Sequence, residues 1–274
     1  MIEILSYTFF QNALLGSLLI SLCCGILGTY IVTRRLVFIS GGITHASFGG
    51  LGLGFYLGVN PVITAIMFSI ASAFGVQLLS TKYKVREDSA IAAFWALGMA
   101  LGIIFIFMSP GFTPSLTEFL FGNILTITQT DLLWFGVFCI ALIAFTYIYI
   151  RQIIFIAFDP EFARVNRMPV KMVEFVMLTF IAIGIVLSIR MIGIVLLMSV
   201  LTLPQIISNI FFNDYIKIIF SSVAVSIISC TGGLFISYLL NVPAGACIVL
   251  ILSILFIFSK LIMFLINKPA VKTQ

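Results

Sequence analysis

Residues 10–31 read FQNALLGSLLISLCCGILGTYI, a run without a single Lys, Arg, Asp or Glu. Wound as a helix it rises about 1.5 Å per residue, enough to cross the roughly 30 Å hydrocarbon layer of a bilayer. The rest of the chain repeats this texture. Of its 274 residues, 62% are hydrophobic and 8% are charged, whereas ordinary soluble domains carry about 25% charged residues. So few polar side chains cannot cover a water-soluble globule of this size. The expected fold is all-α, a polytopic transmembrane helical bundle.

Apolar windows between charged or Pro/Asn-marked breaks predict nine spans: Phe10 to Ile31, Ile43 to Val59, Val62 to Ser80, Ser89 to Met108, Leu132 to Ile150, Met172 to Ile189, Met191 to Phe212, Tyr215 to Leu240 and Val242 to Ile266. With the N-terminus outside and the C-terminus cytoplasmic, all of the 14 cations except Arg190 fall on the cytoplasmic side. The positive-inside rule therefore selects this orientation. Removing one internal span would invert every later loop, so eight or ten spans require a compensating half-helix. Residues 1–274 form a single membrane domain in this reading, and the first run is too long and too poorly flanked for a secretory leader. The stretches GGLGLGFYLGVNP at 49–61 and GGLFISYLLNVP at 232–243 echo one another faintly.

The net charge of +5 is spread over loops, so it speaks for topology and not for nucleic acid. Cys23, Cys24, Cys139, Cys230 and Cys247 lie inside apolar runs without C-x-x-C spacing, which predicts packing residues. The nine carboxylates, Glu3, Glu87, Asp88, Glu118, Asp131, Asp159, Glu161, Glu174 and Asp214, all fall in loops or within about one turn of a span end. Ion-coupled carriers usually bind the coupling ion at an ionisable group within the bundle, so that class is disfavoured. The sequence has no G-x-x-x-x-G-K-[ST], H-E-x-x-H or G-x-S-x-G motif. Energy for uphill transport must then come from another chain.

Two features remain as candidate sites. His45, the one histidine, lies towards the cytoplasmic side of the glycine-rich second span. It is either a packed, hydrogen-bonded histidine or an imidazole contact for a transition metal. The second feature is FDPEFARVNRMP at 158–169, the most charged loop. Asp159 suits an N-cap, Pro160 the first helical position and Glu161 the positive end of the helix dipole, and Pro169 would end the helix after about two turns. Phe162 beside Glu161 and Arg164 makes either a dock for a soluble partner or a solvated connector.

Four stretches together resemble the integral membrane subunits of zinc- and manganese-type ABC importers. They are Arg34-Arg35 followed by FISGGITHASFGG at 38–50, LFGNILT at 120–126, the loop at 158–169, and GIVLLMSVLTLPQIIS at 193–208. The resemblance implies a homodimeric permease in the cell membrane, served by cytoplasmic ABC ATPases and an extracytoplasmic metal-binding protein. It implies no cofactor in this chain: ATP and Mg belong to the partner ATPase, and the divalent metal, zinc, manganese or iron, is the substrate. By that likeness Asp159, Glu161, Phe162, Ala163, Arg164 and Arg167 belong to the segment that seats in the ATPase, and His45 to the metal path. Two positions depart from the pattern. Gly41 stands where many members carry Asp four residues before the histidine, and Arg167 stands where Gly is common. A permease for an iron chelate or another small solute is the alternative, and an intramembrane enzyme or a purely structural subunit comes after it.

Overall fold

The computed structural model describes residues 6–110, 119–120 and 122–266. Glu3, Glu118, Phe121, Lys268 and Lys272 lie outside the described residues. Within them the fold is helical, with no strand. The α-helices are α1 (Thr8–Thr33), α2 (Val37–Leu57), α3 (Pro61–Thr81), α4 (Glu87–Met108), α5 (Gln129–Phe158), α6 (Pro160–Val165), α7 (Val170–Phe211), α8 (Tyr215–Leu240) and α9 (Ala244–Ile266), with a 3-10 turn at Ile124–Thr126. Seven of these, all but α2 and α6, are long and apolar enough to cross a membrane.

Local chemistry sets the helix ends. Asn60 accepts a hydrogen bond from the Val62 amide, with Pro61 in the first helical position of α3. Thr128 and Asp131 form a reciprocal capping box that opens α5. α2 stops at Gly58 and α8 at Asn241, both in the left-handed region at φ 67° and 53°. These two stops occupy matching places in the paired sequence segments noted above.

α7 departs from expectation. The two spans expected at 172–189 and 191–212 are one 42-residue helical run, broken at Gly193, where φ is 74° and ψ is 172°. The contacts of α1 show what the break does. Glu174 pairs with Arg34, Gly184 sits against Leu27 and Met191 against Gly16, so the first arm climbs α1 from its C-terminal end. After Gly193, Leu201 and Gln205 meet Gly28, and Gln205 donates to the Cys24 carbonyl. The second arm therefore runs back down the same helix, and Tyr215, just beyond it, packs against Phe158 at the Arg34 end. Gly193 makes this reversal with no intervening loop because it alone can take such a backbone without a Cβ clash.

α1 and α7 form the centre, with 67% and 72% of their most apolar windows buried, whereas α4 and α9 have 17% each. α2 is less apolar than its neighbours but tightly enclosed. Its glycines let α3 and α4 approach to backbone contact: a Cβ at Gly50 would lie 2.5 Å from the Thr64 carbonyl oxygen, and one at Gly52 2.5 Å from that of Gly102. Gly42 against Ile91, Gly49 against Gly98 and Gly52 against Gly102 show α2 and α4 running side by side in the same direction.

Candidate functional site

His45 lies in the middle of α2, half-buried, with its imidazole stacked on the indole of Trp95 from α4 at 4.1 Å between centroids and 6° between planes. The stack fixes the ring plane. Its Nδ1 is buried and has no hydrogen-bond partner, an arrangement that leaves one lone pair or one N–H uncompensated. One turn earlier, Gly41 faces the side chain of Met198 from the second arm of α7, and a Cβ at Gly41 would lie 3.5 Å from Met198 Cε. Thr44 Oγ1 sits 3.7 Å from Met198 Sδ. Among the described residues, no group of three or more His, Cys, Asp or Glu side chains is placed to hold a metal ion. All five cysteines are buried and unbridged.

The second candidate is α6. Asp159 Oδ1 accepts from the Phe162 amide at 2.9 Å, Pro160 takes the first helical position, and Glu161 pairs with Arg164 at 2.7 Å on the exposed surface. Phe162 and Val165 are exposed, while Ala163 is fully buried against the bundle. The helix ends sooner than Pro169 alone suggests. Asn166 Nδ2 donates to the Phe162 carbonyl, the Met168 amide to that of Ala163, and Arg167 turns left-handed at φ 56°. Arg167 thus adopts the conformation that glycine takes most easily at a helix C-terminus, and Pro169 serves as the N-cap of α7.

Beneath α6 lies a clamp that sequence reading did not pair. Arg34 forms an ion pair with Glu174 of α7 and donates to the Ile156 carbonyl of α5, tying three helices together at the end where α6 sits. At the opposite end, Arg190 finds its partner in Asp131, with Nε to Oδ1 at 2.9 Å. Arg190 also lines a cavity of about 570 Å³ with Ser47, Phe119, Asn123 and Thr126. Neither ion pair was legible beforehand, because the partners lie far apart in sequence and in separate expected spans. The structure places His45 on α2 and the six residues expected to dock in and around α6, so the two candidate sites are separate in the fold.

A bundle with seven helices long and apolar enough to cross a membrane, carrying a short capped helix on one end, defines a multi-pass membrane protein. The chain belongs to the ABC 3 transport family, whose profile matches residues 6–263. It is a transport subunit and not an enzyme. A Chlamydia pneumoniae protein named a probable metal transport system membrane protein is 37% identical over 246 residues, 88% of this chain and 84% of that one. The manganese transport system membrane protein MntC of Halalkalibacterium halodurans is 30% identical, over 93% of this chain and 87% of its own length. Among solved structures, a chain of PsaBC from Streptococcus pneumoniae in complex with Fab is similar with a TM-score of 0.85 and 28% identity, covering 94% of this chain and 93% of that one.

Proposed function

We propose that the chain is the permease subunit of an ABC importer for a divalent transition metal, crossing the membrane nine times as one domain, with its N-terminus outside and its C-terminus in the cytoplasm. α2 counts as a span in this reading, enclosed by its neighbours despite its lower apolarity, and the two arms of α7 count as two. Two copies assemble around the path, each served by a cytoplasmic ATPase, with an extracytoplasmic metal-binding protein delivering the ion. ATP and Mg are held by the ATPase. His45 lies on the path.

The observation that carries this reading is α6. A capped helix presents Phe162 and Val165 to solvent at the end of the bundle where the cations cluster, while buried Ala163 seats it on the membrane part. A convex apolar tip rimmed by Glu161 and Arg164 suits insertion into a cleft of a soluble ATPase, where aromatic anchors carry most of the affinity. The test is ATP hydrolysis by the reconstituted importer with its binding protein. Glu161→Lys and Arg164→Glu should each abolish stimulation by the binding protein while the subunit stays in the membrane. Retained stimulation in both variants overturns the dock.

A second reading, a permease for a metal chelate, is favoured by the outer cavity of about 570 Å³, which has room for far more than a bare ion and carries Arg190 in its lining. Uptake of chelated iron, with no uptake of free zinc, manganese or iron, would select it.

A further inference from the structure

We infer that Met198 is a second metal contact, acting with His45, and that this nitrogen and sulfur donor pair biases passage towards softer divalent ions such as zinc over manganese. The inference rests on the metal-importer reading and goes beyond it by assigning the donor set.

Three observations meet at this place. First, Thr44 Oγ1 is 2.7 Å from the Ser40 carbonyl and 3.7 Å from Met198 Sδ. A threonine hydroxyl has one hydrogen, and the shorter contact takes it. The thioether therefore keeps its lone pairs, although a hydroxyl lies beside it. Second, Gly41 sets no side chain of its own against Met198, whose methyl group lies 3.5 Å from where a Cβ at Gly41 would be. Gly41 precedes His45 by four residues, so the thioether reaches the helix face that His45 shares one turn on. Third, His45 Nδ1 is buried without a partner while its ring is held against Trp95. An orphaned imidazole nitrogen in a fixed plane is unfavourable unless something engages it at some stage.

The surroundings contribute no harder ligand. No carboxylate lies in the middle of any described helix, so an ion passing here meets imidazole, thioether and hydroxyl groups. Thioether and imidazole suit borderline and soft metals, whereas manganese prefers carboxylate oxygen. Met198 is also one of a row of partly exposed residues on the second arm of α7, with Val195, Ser199 and Thr202. Met198 therefore lies at the edge of the core on that arm and is not fully enclosed by it.

The test is uptake of radioactive zinc and manganese by cells expressing the chain with its own ATPase and binding protein. Met198→Leu keeps the volume and removes the sulfur, and it should lower zinc uptake about tenfold while changing manganese uptake by less than about twofold. Gly41→Asp adds an oxygen donor one turn before His45 and should raise the manganese-to-zinc ratio about tenfold. Subunit abundance in the membrane is measured for each. If the wild type imports metal and Met198→Leu at normal abundance leaves the zinc-to-manganese ratio unchanged, Met198 is only packing, whatever Gly41→Asp does. If the wild type imports no free metal, the importer reading falls and this inference with it.

Discussion

α2 and α9 are both long helices, and they solve opposite problems. α9 is the most apolar span, and only 17% of its most apolar stretch is buried. Leu250, Ile257 and Phe264 all stand exposed on it. α2 does not reach the apolarity of a typical span, yet Ser40 through Thr44 and Ala46 through Gly50 are buried without interruption. Hydropathy therefore measures readiness to face lipid, and glycine measures closeness to other helices. The helix that looks weakest as a span is the one most tightly held, and it carries the candidate metal contact.

Substitutions should separate the two helices sharply. Gly52→Leu forces a side chain into the Gly102 backbone and should cost about 3 kcal/mol or more, read as a large drop in Tm of the purified protein. A Tm within a few degrees of wild type would show that the α2–α4 contact is far looser than described. Next in size is Arg34→Gln, which leaves Glu174 half-buried beside the bundle without its cation. The expected loss is about 2 kcal/mol, visible in the same melt. Asp131→Asn, which weakens both the α5 capping box and the Arg190 pair, should cost about 1 kcal/mol. Leu250→Ala, on the exposed flank of α9, should stay within about 0.5 kcal/mol in detergent. A loss comparable to Gly52→Leu would mean that this flank is buried against a second copy.

The helical fold was legible because uncharged runs of span length have few alternatives, and nearly every expected span coincides with a helix. α6 was legible for a related reason, since Asp159, Pro160 and Glu161 act on adjacent backbone and leave their signature in adjacent letters. What could not be read was anything set by tertiary approach. The reversal at Gly193 has no loop residues to mark it. The partners of Arg34 and Arg190 lie 140 and 59 positions away. The stack of His45 on Trp95 depends on how closely α2 and α4 run, and so on glycines whose purpose is visible only in contact. Arg167 is the reverse case: the residue type argues against a left-handed turn, and the surrounding hydrogen bonds impose one.

The reversal at Gly193 has one more consequence. Gly122, itself left-handed at φ 54°, lies directly on the turn, so that any Cβ there would collide with it. The elbow of α7 is thus braced from outside by bare backbone. From Val170 beside α6 to that elbow is a rigid strut of about 33 Å, and Met198 sits a little over one turn along the returning arm. A side chain at Gly122 would part the elbow from the backbone that braces it, and one at Gly193 would strain the turn itself, so each glycine protects the seating of both arms on α1.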